Sequence, residues 1–352
     1  MIKSKLIHIK RAGLLLLLVS FFIRCSDDTV NEDPLTPFVF KETLSEYGFF
    51  TGALKNLTPA VNVLPYELST PLFSDYTLKD RFIYLPENTE MIYKATGVVD
   101  FPKGTIIIKN FSSLDENDDP LRLETRLLVL DPFDDEWKVM VYLWNEEQTE
   151  ATKHIIGKNI SIKVKNDSGL TLTTNYRVPN TNDCKRCHVK NSILTPIGPK
   201  IRALNFIPLG QSENQLEKWN EDGRLIGLPS SGIPVLPNWM DDANFSLDER
   251  ARAYLDMNCA HCHIQGGDAF NTGMFLEYEQ TDSTKLGFFK IPVSAGPGSG
   301  SLTYDILPGN ADESIIHYRM NSTQTGVSMP ELARSVIHEE GVALIREWIN
   351  SF

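Results

Sequence analysis

The chain has 352 residues, 41% of them apolar and 23% charged, a globular mixture long enough for two or three domains. Its 34 Lys and Arg against 46 Asp and Glu leave a net charge of −12, which disfavours phosphate backbones and speaks against nucleic acid as a partner. Only one long apolar run exists, at the N-terminus, so a polytopic membrane protein is excluded as well.

That run covers residues 12–23 and follows Lys3, Lys5, Lys10 and Arg11. It is too short to span a bilayer but has the order of a secretory signal, basic and then apolar. Cys25 closes it and Ser26, Asp27 and Asp28 follow. The arrangement resembles a bacterial lipoprotein signal, with Arg24 where that pattern prefers a small residue and Phe22 where it prefers Leu. The Ser-Asp-Asp resembles the export tag of surface lipoproteins in Bacteroidetes-type bacteria. The resemblance implies that residues 1–25 are a signal ending at a lipidated Cys25. The protein is then exported and lipid-anchored to the cell envelope, at the periplasmic or outer-membrane surface. Residues 26–37, polar, acidic and Pro-containing, read as a flexible tether.

From residue 38 to residue 205 the pattern is β. Runs rich in Ile, Val, Leu, Thr and aromatics cover 81–85, 105–111, 121–130, 138–144, 159–165 and 170–176. In the third, Leu121, Leu123, Leu127 and Val129 alternate with Arg122, Glu124 and Arg126, as in a strand with one wet face. Polar turns at 115–120 and 131–135 close hairpins, and no βαβ rhythm appears. The expectation is an antiparallel sandwich or barrel.

Two clusters of Cys follow: Cys184-Lys-Arg-Cys187-His188 near the end of the β segment, and Cys259-Ala-His-Cys262-His263 further on. Both read C-x-x-C-H, the attachment signature of c-type haem. Two thiols three positions apart on one helical turn add to the two vinyl groups of one porphyrin. The adjoining His then serves as proximal iron ligand. A four-thiolate zinc site, thioredoxin-like redox pairs and structural disulfides are the competing uses of such pairs, but none requires a His after the second Cys. The reading is two covalently attached c-type haems, held by Cys184, Cys187 and His188 and by Cys259, Cys262 and His263.

Residues 206–245 read as a linker. Within it Ser212-Glu-Asn-Gln215 is a capping box for a short helix ending at Gly223, and 229–237 is an extended, Pro-rich stretch. Residues 246–352 read as a helical domain. A capping box at Ser246–Glu249 opens a helix with Leu247, Ala251, Tyr254 and Leu255 on one face, and Val342, Ile345, Trp348 and Ile349 form a terminal helical stripe.

Several segments together resemble an uncharacterised family of exported bacterial dihaem c-type cytochromes. They are 71–76 (PLFSDY), 142–145 (YLWN), 176–188, 196–200 (PIGPK), 252–263, 305–309 (DILPG) and 328–332 (SMPEL). The likeness spans residue 45 to the end. A fainter similarity links the β segment plus first motif to β-sheet haem proteins that oxidise hydroxylamine or bind nitric oxide. The expected fold class is therefore α+β: an antiparallel β domain carrying the first haem, then an all-α cytochrome c-like domain carrying the second.

The sixth iron position separates carriers from enzymes. Met329, in Ser328-Met-Pro330 ahead of the terminal helix, is the expected ligand of the second haem, with Met320 and His317 in reserve. For the first haem His154, Met140, Met91 and Met240 qualify by residue type alone. His261 is expected beside its haem facing solvent, and Lys185 and Arg186 to meet propionates, an acidic partner or water. Two functions follow. One is a membrane-anchored electron carrier between redox partner proteins. The other is a haem oxidoreductase, with peroxidase or hydroxylamine/NO-type chemistry at a five-coordinate first haem.

Overall fold

Alternation decides the architecture of the first half. The computed structural model describes residues 36–352; the signal, Cys25 and most of the tether lie outside the described residues. Eight strands form one antiparallel sheet: β1 (Val63–Pro65), β2 (Leu78–Tyr84), β3 (Ile106–Leu114), β4 (Pro120–Leu130), β5 (Trp137–Trp144), β6 (Ala151–His154), β7 (Lys158–Lys165) and β8 (Thr171–Val178). The order runs β8-β7-β3-β4-β5-β6. One edge of β3 is shared: β2, itself paired with β1, covers Ile106–Ser112, and β7 takes over at Leu114. The polar turns at Asp115 and Asp131 close the β3–β4 and β4–β5 hairpins through backbone bonds (Asp115 to Asp119 and Asp131 to Glu136, both 2.9 Å).

Period-two side chains sort onto two covered faces. Phe82, Ile106, Ile108, Leu127, Val129, Tyr142 and Trp144 pack under the N-terminal segment with Leu44, Phe49 and Leu57. The opposite face carries Ile83, Ile107 and Leu128, which pack with Leu204, Leu216, Trp219 and Met257. The face expected to be wet is therefore interior: Glu124 is wholly buried, and Arg126 points into an internal cavity.

Seven helices occur among the described residues: α1 (Thr181–His188), α2 (Ile201–Leu204), α3 (Gln215–Glu221), α4 (Leu247–Asn258), α5 (Ser283–Leu286), α6 (Ile315–Met320) and α7 (Glu339–Asn350). Together with five short 3-10 segments they make up 22% of the structure. This corrects the expected fold class. The chain is predominantly β, built on one large antiparallel sheet, and its last third is not an all-α cytochrome c-like domain. Between α4 and α7 the chain runs mostly through turns, 3-10 segments and loops, broken by the short α5 and α6.

The physical reason lies in α4. Its capping box forms as read: Ser246 N–H donates to Glu249 (2.9 Å), and Glu249 N–H to Ser246 Oγ (3.4 Å). Ala251, Tyr254 and Leu255 pack with Ile345, Trp348 and Ile349 of α7, where Trp348 Nε1 donates to Asp248 (2.7 Å). Ala253 and Met257, however, belong to the core under the sheet. A helix apolar on both sides needs partners on both sides, so α4 ties the terminal segment to the sheet. Residues 36–352 accordingly form one compact unit.

Residues 206–245 contribute Leu216, Trp219, Leu225 and Leu236 to that same core. Within them the helix cap is Asn214, which accepts from Leu216 N–H (2.9 Å), rather than Ser212. No helix among the described residues is long and apolar enough to cross a membrane.

Candidate functional site

The first C-x-x-C-H lies on α1. Asn180 caps it, accepting from Asn182 and Asp183 N–H (2.8 and 2.9 Å), while Asp183 accepts from Asn180 N–H (3.2 Å). The chain then turns through the short hairpin Val189–Lys190/Ile193–Leu194, which returns Thr195 to His188. His188 Nδ1–H donates to the Thr195 carbonyl (2.9 Å), fixing the ring and leaving Nε2 as a lone-pair donor. Burial pushes the imidazole down to about 4, so it is neutral and ready to ligate at pH 7.

The second motif begins at the C-terminal end of α4. Burial likewise pushes His263 down to about 4. Thr272 Oγ1 lies 3.5 Å from its Nδ1, and its carbonyl accepts from Leu276 N–H (2.9 Å).

Each motif opens on its own cavity. The first cavity, about 1680 Å³ of space outside atoms with its solvent-open part included, is lined by Cys184, Cys187 and His188. Its walls come from the sheet (Ile107, Leu128, Val139), from 66–74 and from 329–342. The second, about 620 Å³ on the same measure, holds Cys259 and His263 together with Thr272, Ile316 and both Met320 and Met329. Cys259, Met320 and Met329 line both cavities. His317 does not line the second; it sits beside Asp312 on the outer side of α6. His154, Met140, Met91 and Met240 line neither. Met91 is buried in the core, Met140 packs on the other sheet face, and Met240 is exposed.

The two motifs meet. Asn191 N–H donates to the Gly266 carbonyl (2.8 Å), and a Cβ on Gly266 would lie 2.0 Å from Asn191 Oδ1, so only glycine allows this approach. Arg186 spans Asp268 (3.1 Å) and Glu331 (3.3 Å), locking the first motif to the second and to the Met329 loop. It is thereby committed to carboxylates of its own chain, while Lys185 makes no ion pair among the described residues.

Cys187, His261 and Cys262 bring ligand atoms within 4.8 Å of one another. The Cys262 thiol shares its hydrogen bond with Cys187, which pulls Cys187 down to about 4 and pushes Cys262 up. Burial pushes Cys184 up to about 11 and Cys259 to about 12. His261 is partly buried, its Nδ1 inside the protein without a partner, rather than facing solvent.

No family model matches the chain, and no curated protein or solved structure matches it either. The functional reading therefore rests on the residues themselves. They fit two covalently held haems: the first cavity has both its thiols in the lining, the second has Cys259 with Cys262 three residues on, and each has a neutral, buried imidazole.

The sequence reading missed His338, the residue before α7, which lines the first cavity. It stacks on Phe73 (4.1 Å between ring centres), and its Nδ1 is 2.9 Å from the Tyr254 hydroxyl. Also missed was a set of basic side chains, Arg81, Lys109, Arg126 and Arg334, in the same cavity. A lone His outside a motif carries no signal in sequence, and of the four basic residues only Arg126 was legible, as the polar half of an alternation.

Proposed function

We propose that the protein is a dihaem c-type cytochrome that carries electrons between redox partner proteins of the cell envelope, anchored there through Cys25. One observation carries the reading: the two C-x-x-C-H motifs abut, with Cys187 and Cys262 in contact and three residues common to both cavities. When bound, the haems supply a pair of one-electron iron couples.

The residues of the chain set the conditions for that chemistry. Cys184 and Cys187, and Cys259 and Cys262, provide the sulfurs for attachment. His188 and His263 offer neutral imidazoles, and the His188–Thr195 bond holds the first ring against rotation. Met329, with Met320 beside it, supplies thioether sulfur to the cavity of His263; a His/Met pair raises the potential and closes the site to small ligands. Besides His188, the imidazoles lining the first cavity are His261 and His338. Arg186 and the Gly266–Asn191 contact keep the motifs in register, so little rearrangement accompanies electron passage between them.

The test is production with a working cytochrome maturation system, followed by pyridine-haemochrome quantification, low-temperature electron paramagnetic resonance and a redox titration. Two haems per chain and two reversible one-electron couples are expected. Steady turnover of peroxide or hydroxylamine with a high-spin first haem would replace the carrier by the oxidoreductase.

A second reading has its own observation. Cys187, His261 and Cys262 form a thiolate–imidazole group with the softness that suits zinc or copper. Colourless protein containing stoichiometric metal, with four titratable thiols after its removal, would establish it in place of haem.

A further inference from the structure

Across the sheet face that walls the first cavity, β-ladder register places three cations in one row: Arg81 on β2 opposite Lys109 on β3, and Lys109 opposite Arg126 on β4. Directly opposed side chains lie about 5 Å apart at Cβ, and like charges so placed repel. Arg126 is compensated, its guanidinium forked onto Glu124 (3.0 and 2.6 Å). Arg81 and Lys109 are not. Arg81 is 8% exposed, and among the described residues its side chain makes no hydrogen bond or ion pair. Lys109 lies over the Phe111 ring face (4.7 Å) and, among the described residues, makes no side-chain hydrogen bond or ion pair. Burial and the neighbouring Arg81, Lys79 and Arg126 push its ammonium well down.

The rest of the cavity adds to the imbalance. Arg334 gives its terminal nitrogens to the Met320 and Arg319 carbonyls (2.8 and 3.2 Å), leaving Nε buried without a partner. Asp183, the carboxylate in the lining, is engaged by Arg177 (3.3 Å). A chain of net charge −12 has thus gathered its cations around one interior space. A buried charge without a counterion costs several kcal/mol. A fold that keeps Arg81 and Lys109 facing a cavity rather than water is shaped for an anion inside it.

We propose that Arg81 and Lys109, backed by Arg126, form a binding site for a carboxylate-type oxyanion in the cavity of the first motif. This chemistry has two sources. One is the propionate carboxylates of the porphyrin attached at Cys184 and Cys187, which rests on the haem reading above; the other is a free small oxyanion, independent of it. Arg81 supplies a planar fork matched to two oxygens, and Lys109 a point charge.

The experiment uses the full-length holoprotein, its Arg81→Gln and Lys109→Met variants, and Lys163→Gln, an exposed strand position, as control. Lys109→Met replaces a buried charge by a side chain of similar length, a change that tends to preserve folding. Sodium nitrite and sodium formate are the probes, read by thermal unfolding; redox titration reads each haem.

If the anion is free, nitrite or formate raises the unfolding temperature of the wild type and of Lys163→Gln but not of the other two variants. If it is propionate, the probes have no effect. Arg81→Gln and Lys109→Met then disfavour the reduced first haem by about threefold to tenfold, tenfold being 59 mV for a one-electron couple, and leave the second unchanged. Variants as stable as the wild type or more so, with neither probe response nor a shifted first couple, overturn the proposal. Absence of haem by pyridine haemochrome defeats the haem reading alone. The probe response of the metal-free chain then decides the anion site by itself.

Discussion

Two cavities carry the same five-residue signature, share part of their lining and are otherwise furnished differently. The first is walled by a sheet face and rich in cations, with His261 and His338 as further imidazoles in its lining. The second is walled mainly by loops and short helices and lined by Met274, Met320 and Met329, the last two shared with the first. On the haem reading proposed above, the motif would supply attachment and one imidazole, and the surrounding chain would decide what the iron does.

The sharpest break of this comparison is removal of one attachment. The double variant Cys184→Ala/Cys187→Ala is expected to lose the first haem completely and keep the second. Haem per chain falls from two to one by pyridine haemochrome, with the intact mass lower by one porphyrin. Next is Met329→Ala, which should convert the second haem from low to high spin in electron paramagnetic resonance and leave the first unaltered. A conversion seen only in Met320→Ala would transfer the ligand role to that residue.

A smaller effect separates the walls. Glu124→Gln removes the wholly buried counterion of Arg126 and should cost about 3–5 kcal/mol in denaturant unfolding. Its effect on spectra should be confined to the first cavity.

The smallest effect is a pH dependence from His338, which burial pushes down to about 4. Its neutral form is the one the fold prefers. Its contribution is full above the ordinary value of 6.5 and is lost as the pH falls from there towards about 4, because the unfolded chain takes up the proton first. Denaturant midpoints at pH 7.5, 6 and 5 should decline for the wild type. They should decline less for His338→Gln, measured against its own value at pH 7.5.

What sequence could supply and what it could not divides along the same line. The two motifs, the Ser246 capping box and the strand runs are local signals, each complete within a few residues, and the chain realises them where they were read. The faces of elements are another matter. Alternation at Glu124 and Arg126 shows that these side chains share one side, but water and a polar cavity leave the same mark; the register shift at Phe111/Ser112 carries Arg122, read as part of the same row, to the other face. The stripe Leu247, Ala251, Tyr254 and Leu255 likewise marks one buried side of α4 and is silent about Ala253 and Met257 on the other. That silence led to an independent helical domain, where the chain instead shares one body with the sheet. His338 enters the first cavity only through the return of residues 329–342 past α1, a long-range contact that no local pattern records.

The meeting of Cys187 and Cys262 places a condition on biogenesis. If the chain is the exported dihaem protein proposed above, closing before its porphyrins are joined would set two thiols face to face in an oxidising space, where a disulfide between them would withdraw one sulfur from each site at a stroke. Productive assembly then demands a sequence in time: ligation first, closure afterwards, with the Arg186 clamp as the last latch to shut.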